Sequence, residues 1–291
     1  MKSLSKHKKL ISGGYEVESP ILRTFNYVLL IIITFIVLCP IYVVFTASFK
    51  SNGEYMKSGA FSLPKSFFYF DNYKTVLKQG QLALAYANTL ILIIVSVILS
   101  VMMAAMVAYA LGRFKFKGRK FLIVLFFIPT LIPSTLTQVA TFTLISKLHV
   151  FNTLWSCILI YIGTDIVQIY LFLQFVEKIP YSLDESALIE GASYFRVFRS
   201  IIIPQLKPAM ATVIILKVLG IYNDMLNQNL YMPKSSLVTV STALLSFSND
   251  RNSQWNVMSA GVIAIMIPTI ILYLFMQKFI FAGITEGAVK D

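Results

Sequence analysis

Histidine and cysteine are scarce in this sequence, which has only two of each among its 291 residues. His7 and His149 leave almost no material for a zinc site or a serine-type catalytic triad, and Cys39 and Cys157 fall in apolar segments, where cysteine acts as a small hydrophobic side chain. The phosphate-binding sequence Gly-x-x-x-x-Gly-Lys-Ser/Thr does not occur. We therefore predict no catalytic residue, no metal site and no bound cofactor, and expect any ATP to be bound by another chain.

Charged residues are also scarce. They make up 13% of the chain, about half the usual share, whereas 57% of the residues are hydrophobic and the mean hydropathy is +0.75. This composition predicts a membrane protein. The net charge of +12 could suit nucleic acid, but the positions of the basic residues indicate orientation in a bilayer instead, and we predict no nucleic-acid partner.

Six apolar runs predict an all-α membrane protein with six transmembrane helices. The first run is too long for the apolar core of a signal peptide, and Pro40 is expected to kink it. Pro129 and Pro133 predict breaks in the third run. The predicted spans are 25–45, 86–111, a third beginning at Phe121, 154–176, 208–226 and 257–281.

The basic residues predict the orientation of these spans. Gly112 to Lys120 carries five positive charges in nine residues, and short basic loops stay on the cytoplasmic side. With the amino terminus inside, the cytoplasmic segments hold more of the 25 lysines and arginines than the outer segments do, although the first outer loop adds five lysines. The predicted organisation is a cytoplasmic tail (1–24), a six-span domain (25–282) with a cytoplasmic loop at about 177–207, and a cytoplasmic tail (283–291).

Small residues recur every fourth position on the second span. A stripe of this kind allows a neighbouring helix to approach closely, because helix association in lipid depends on packing. The stripe consists of Ser96, Ser100, Ala104 and Ala108.

The sequence of the cytoplasmic loop contains start and stop signals for two short helices. Ser182 and Glu185 have the spacing of a capping box, which predicts a helix start after a proline. Gly191 is predicted to end or bend this helix, Ser193 to cap a second one and Pro204 to stop it. The predicted result is a compact knob of two helices that meet at a glycine.

The same loop resembles the "EAA" loop of the membrane subunits of ABC importers, which reads Glu-Ala-Ala, three residues, Gly, nine residues, Ile-x-Leu-Pro. Ser186 replaces the second alanine and Ile203 replaces the leucine, while the spacing is kept. The resemblance implies a type I ABC importer permease fold whose coupling helix docks on a separate ATP-hydrolysing subunit. It assigns the coupling role to Glu185, Ser186, Ala187, Gly191, Ile203 and Pro204.

The carboxyl end is similar to that of the maltose-type sugar permeases, which close with Gly-x-x-x-Gly-(Ala/Ser)-Val-Lys-Gly after the last helix. Asp291 departs from the final glycine. The resemblance implies that Gly287, Val289 and Lys290 contact the ATPase subunits. It also implies a plasma membrane location in a bacterium or archaeon and four partners: a second permease subunit, two ATPase subunits that bind ATP and Mg²⁺, and an extracytoplasmic sugar-binding protein.

Polar residues lie deep in the fifth run. Lys217, Asp224 and Asn227 are spaced for one helical face, and charged residues in a span usually face the protein interior or a water-filled path. One hypothesis is that they line the route of a polar substrate together with Asn223. The alternative is that Asp224 lies at the outer membrane boundary while Lys217 pairs with a carboxylate such as Asp165.

The resemblance implies a permease subunit that translocates a sugar or oligosaccharide delivered by the binding protein. Tyr222, Tyr231 and Trp255 could stack on a sugar, although tyrosine and tryptophan also gather at membrane interfaces. Another polar solute, such as an amino acid or a glycerol phosphate, is the alternative, because the coupling loop is shared across substrates. An ATP-independent carrier would require inverted repeats, and the sequence shows no clear repeat.

Overall fold

The computed structural model describes residues 20–163, 165–247 and 254–288, and within these ranges the chain forms helices and loops without a strand. The predicted all-α class is therefore confirmed. A π-helical turn, Phe198–Ile202, joins α10 to α11, and 3₁₀ turns at Ser235–Leu237 and Leu244–Phe247 flank α14. The helices are α1 (Pro20–Ser48), α2 (Asn52–Lys57), α3 (Asp71–Gln79), α4 (Leu82–Arg113), α5 (Arg119–Leu131), α6 (Ser134–Lys147), α7 (Leu154–Ile162), α8 (Ile166–Lys178), α9 (Tyr181–Ile189), α10 (Tyr194–Val197), α11 (Ile203–Gln205), α12 (Lys207–Asn223), α13 (Met225–Tyr231), α14 (Val240–Ala243) and α15 (Trp255–Ala288).

Three unbroken helices are long and apolar enough to cross a membrane: Ile21–Ser48, Leu82–Arg113 and Trp255–Phe275. Three bent pairs pass the same test: α5 with α6 at 106°, α7 with α8 at 45°, and Tyr194–Gln205 with α12 at 77°. The described residues therefore provide up to six spans, as predicted, if each bent pair counts as one.

The breaks do not all lie where the prolines predict them. Pro133 separates α5 from α6, as expected, whereas Pro129 lies inside α5. Pro40, which was predicted to kink the first span and not to break it, lies inside α1. The predicted fourth span is continuous, yet α7 ends at Ile162 and Asp165 caps α8 by accepting a hydrogen bond from the Gln168 amide at 2.9 Å. A carboxylate that satisfies a free amide can start a new helix inside an apolar run.

The second span, α4, lies at the centre of the bundle and packs against α7, α8 and α12. The predicted small-residue stripe faces this core, and all four of its side chains are fully buried. Ser100 Oγ donates to Gln168 Oε1 of α8 at 3.0 Å. At Gly112 the two helices are so close that a Cβ atom would lie 2.6 Å from Val176 Cγ1. The prediction of a close helix contact is confirmed.

An amide network ties α1, α3 and α15 together near the amino end of α4. Asn72 Nδ2 donates to the backbone carbonyls of Ser48 and Lys50, both at 2.8 Å, and Asn256 Nδ2 donates to Asn72 Oδ1 at 2.8 Å. Outside this network α1 lies at the edge of the bundle, because none of its most apolar window is buried within the chain.

Candidate functional site

Two short helices meet at Gly191 and form a helical knob, residues 181–205, at the carboxyl end of α4. Gly191 has a left-handed φ of +83°, and its amide donates to Leu188 O at 3.0 Å, while the Ala192 amide donates to Ala187 O at 2.9 Å. These two bonds form a Schellman motif, which satisfies the last carbonyls of α9. Ser193 Oγ then accepts from the Arg196 amide at 3.3 Å and caps α10. The predicted pair of helices joined at a glycine is confirmed.

The predicted capping box is wrong. The α9 helix starts at Tyr181 with Pro180 as its cap residue and no side-chain cap bond. With Pro180 as the cap residue, the third helical position is Leu183, whose side chain cannot accept the hydrogen bond of a capping box. Ser182 and Glu185 therefore lie within the helix.

The second helix ends one residue after its predicted stop at Pro204. Helical structure continues to Gln205, and the chain turns at Leu206. The π turn before Pro204, in which the Ile203 amide bonds to the Phe198 carbonyl, changes the hydrogen-bonding register and accommodates the proline.

The residues assigned to coupling lie together on this knob. Glu185, Ser186, Gly191 and Pro204 are exposed, while Ala187 and Ile203 are half-buried. The exposed surface around them is unusually apolar, because Ile189 is 87% exposed and large neighbouring side chains are exposed too. These neighbours are Leu183, Tyr194 and Phe195. Large exposed apolar side chains grouped on one short segment indicate a protein contact.

The sequence reasoning missed the ion pair that anchors the knob. Arg113, the last residue of α4, has its Nε 3.0 Å from Asp184 Oδ2 of α9, and the two side chains are only 3% and 12% exposed. The guanidinium carbon also lies 4.4 Å from the centre of the Tyr181 ring, and Tyr181 Oη donates to Gly112 O at 2.8 Å. The available signal was an aromatic and an acidic residue three positions apart on α9, where they share a face.

The charge of Asp184 depends on this arginine. Burial raises the pKa of the Asp184 carboxyl, Arg113 lowers it, and Glu185 raises it. Removal of the guanidinium would leave only causes that favour the protonated acid.

Aromatic rings hold the second half of the knob to the same end of α4. The rings of Tyr109 and Phe198 lie 5.3 Å apart, and those of Phe114 and Tyr194 lie 5.2 Å apart. Tyr109 and Phe114 contact each other edge to face at 5.7 Å. Both halves of the knob therefore rest on residues 109–114.

A second candidate site is a cavity of about 480 Å³ between α7, α8 and α12. It brings Lys217, Asp224 and Asn227 together, as predicted, but not Asn223, which is exposed and bonds Leu219 O at 2.9 Å. The polar residues that line it are Tyr161, Asp165, Gln168, Lys217, Asp224 and Asn227.

Most of these polar groups already have partners. Asp224 accepts from the Asn227 amide at 3.0 Å, from Asn227 Nδ2 at 2.7 Å and from Tyr161 Oη at 2.9 Å, and it caps α13. The fifth span therefore ends at Asn223, before the predicted Leu226. Lys217 Nζ donates to Gly163 O at 3.1 Å. The ion pair between Lys217 and Asp165, one of the two sequence-based alternatives, is not among the ion pairs of the described residues.

The aromatic candidates are mostly engaged in packing. Tyr222 Oη donates to Ile265 O at 2.8 Å, and buried Tyr231 donates to Gln138 O at 3.3 Å. Trp255 is half exposed.

Of the predicted tail contacts, Gly287 falls in the last turn of α15, and Val289 and Lys290 lie outside the described residues.

The architecture is that of a membrane transport protein, with up to six spans, broken helices around a polar cavity and a helical knob at the end of the central helix. The chain belongs to the family of binding-protein-dependent transport system inner membrane components, whose model matches residues 96–286. It is thus a multi-pass permease, and the predicted similarity to permeases of carbohydrate ABC importers is confirmed.

Individual relatives cover nearly the whole chain. The probable starch degradation products transport system permease AmyC of Thermoanaerobacterium thermosulfurigenes is 33% identical over 262 residues, which is 90% of this chain and 94% of AmyC. The galactooligosaccharides transport system permease GanQ of Bacillus subtilis is 31% identical over 271 residues, 91% of this chain and 95% of GanQ. A bacterial ABC transporter for the acidic polysaccharide alginate has the same fold, with a TM-score of 0.80 at 22% identity over 92% of this chain and 99% of the other.

Proposed function

We propose that this chain is one of two permease subunits of an ABC importer for a sugar or oligosaccharide, and that the knob is the element on which an ATPase subunit acts. The observation that carries the proposal is the knob itself, an ordered and apolar surface that stands on the end of the central helix. Relatives such as AmyC and GanQ, named for the transport of carbohydrates, support the substrate class.

In this arrangement the knob, the basic segment after α4 and both termini face the cytoplasm. A binding protein delivers the solute on the other side, and two ATPase subunits bind ATP and Mg²⁺. The carboxyl tail, including Gly287, Val289 and Lys290, contacts those subunits. The chain itself performs no covalent chemistry, because its contribution is a difference in affinity between two conformations.

The test is ATP-dependent uptake of a labelled sugar panel by vesicles that contain this chain, the second permease, the ATPase and the binding protein. Gly191→Asp should abolish uptake and stimulated ATP hydrolysis while the complex still assembles, since it places a charge on the docking surface. Gly118→Asp is the matched control, because both glycines have a left-handed φ, no heavy atom lies within 4 Å of a Cβ at either of them, and Gly118 precedes α5, outside the knob.

Equal uptake by wild type and Gly191→Asp, or uptake without ATP, would contradict the proposal and favour an ATP-independent carrier. The panel should include an amino acid and a glycerol phosphate. Import of one of these instead of a sugar would support the proposed ATP-driven importer and change only the proposed substrate.

The cavity around Lys217 is the proposed solute path of this subunit. Lys217→Met should reduce uptake if the ammonium contacts the solute, with assembly unchanged. Unchanged uptake with lower stability would assign Lys217 a structural role through its bond to Gly163.

A further inference from the structure

We propose that Arg113 is a positioning residue that joins the knob to the membrane core, so that α9 and the end of α4 move as one body during transport. The proposal rests on the proposed function, in which an ATPase subunit displaces the knob. It concerns the route by which that displacement reaches the spans.

The segments that connect the knob to the spans are not continuous helices at either end. The α8 helix ends at Lys178, and the extended residues Ile179 and Pro180 separate it from α9. On the other side a π turn and a 77° bend lie between α10 and α12. Breaks in the backbone hydrogen-bond ladder act as hinges, so neither connection is a rigid rod.

The contact with α4 is of a different kind. Asp184 and Tyr181 lie one turn apart on α9, and both hold the guanidinium of Arg113, one by charge at 3.0 Å and one by its ring face at 4.4 Å. The pair is almost fully shielded from water, which makes its attraction stronger than that of an exposed ion pair. The bond from Tyr181 Oη to Gly112 O fixes the backbone of α4 as well.

The path continues from α4 into α8. Gly112 leaves no room for a Cβ atom, because the side chain of Val176 packs directly against the backbone of α4 at this level. Close-packed interiors transmit displacement because they are hardly compressible. A movement of α9 is therefore carried by Arg113 to α4 and by the Gly112 contact to α8, which lines the polar cavity.

The first test compares Asp184→Asn with Asp184→Glu in the complete reconstituted complex. The measured quantity is solute imported per ATP hydrolysed, with the yield of assembled complex recorded separately. Asp184→Asn should lower the ratio by about tenfold, since hydrolysis continues while the core is not moved, and Asp184→Glu should stay within about twofold of wild type. A purely structural role would lower yield and both activities together and leave the ratio unchanged, which would overturn the proposal.

The matched control is Arg119→Gln, which removes the ion pair between Arg119 and Glu177 at 2.9 Å. That pair lies at the same end of the bundle, joins α5 to α8 and has side chains 39% and 51% exposed. The ratio should remain that of wild type in this variant. An equal fall in solute imported per ATP in Arg119→Gln and Asp184→Asn would mean that transport depends on any charge at this end of the bundle. That result would overturn the specific role of Arg113.

A second readout does not depend on transport. Amide hydrogen exchange across residues 181–190 should be about tenfold faster in Arg113→Gln than in wild type, and unchanged in Arg119→Gln. Unchanged exchange in Arg113→Gln would overturn the anchor itself, whether or not the wild-type complex imports a solute. Failure of uptake in wild type with faster exchange in Arg113→Gln would instead reject the proposed function and the transmission role together, leaving the anchor as a structural contact.

Discussion

Gly191 shows how one backbone conformation shapes the knob. Its φ of +83° is left-handed, and no heavy atom lies within 4 Å of the position that a Cβ would take, so a substitution is strained by the backbone and not by crowding. The left-handed region costs an L residue roughly 1–2 kcal/mol, and less for asparagine.

We therefore expect Gly191→Val to destabilise the end of α9 by about 2 kcal/mol and Gly191→Asn to cost less than about 1 kcal/mol. Hydrogen exchange of the backbone amides at positions 191 and 192 measures both changes, because these two amides close the turn. Equal effects of valine and asparagine would show that side-chain volume decides the outcome, contrary to the open space at this position.

The features of the knob that could be predicted from the sequence were those whose interacting residues are close together along the chain. Gly191 and Ser193 were identified correctly because a turn glycine and a helix cap act on their immediate neighbours. The capping box failed because the helix begins at Tyr181, one residue before Ser182, so that Ser182 and Glu185 do not occupy the cap and N3 positions. The pair of Arg113 with Asp184 joins residues 71 positions apart, and no local pattern specifies which acid a basic loop will meet.

At the level of helices, the contact between α4 and α8 is limited by the size of one residue. A Cβ at Gly112 would lie 2.6 Å from Val176 Cγ1 and 3.3 Å from Leu173 Cδ1, which requires the helices to move apart. We expect Gly112→Ala to destabilise the complex by about 1–3 kcal/mol, as overpacking does. Thermal unfolding in detergent measures this loss.

The compensating variant is Val176→Ala in the Gly112→Ala background. It removes the methyl group that the new Cβ meets, so part of the lost stability should return. No recovery in the double variant would place the cost elsewhere, for example in the backbone next to Tyr181.

The junction of α12 and α13 depends on one carboxylate. Asp224 caps α13 and accepts from Tyr161 and Asn227, so Asp224→Ala leaves several donors without an acceptor. We expect a loss of about 2–3 kcal/mol for Asp224→Ala and a smaller one for Asp224→Asn, which keeps an acceptor. Thermal unfolding measures both, and the exposed neighbour variant Asn223→Ala should change stability by less than about 0.5 kcal/mol.

These helix breaks were the part of the fold that apolar runs did not reveal. Hydropathy located the spans because length and composition are averaged over about twenty residues. A single carboxylate such as Asp165 or Asp224 barely changes that average, yet each caps a new helix. Breaks of this kind depend on a hydrogen bond to an amide three residues ahead, and the same residues could equally have been buried in an unbroken helix.

At the scale of the whole molecule, the polar cavity borders exposed apolar side chains, among them Val167 and Leu216. Lys217 is only partly buried within this chain, and a charged group is costly in contact with lipid. The proposed second permease would cover this side. The chain produced alone should therefore be degraded several-fold faster than the chain produced with that partner, because misassembled membrane proteins expose such groups.

The same reasoning gives a variant for the test. Lys217→Met should reduce the difference in lifetime between the chain alone and the chain with its partner, since it removes the charge, whereas Lys74→Met should not. Lys74 is exposed on α3 and pairs with Asp71 at 2.9 Å. Pulse-chase measurement of chain lifetime checks both variants. An unchanged difference in Lys217→Met would show that another surface requires the partner.

The turn at Gly191 is built almost entirely from main-chain groups, with the carbonyls of Ala187 and Leu188 as its acceptors. The outward side chains of Leu183, Ile189 and Phe195 are not needed to form it. Evolution can therefore exchange these side chains to suit a different form of the proposed ATPase partner without rebuilding the knob. A permease of this kind could be adapted to share one energy-supplying subunit with other importers by changing only a few surface residues.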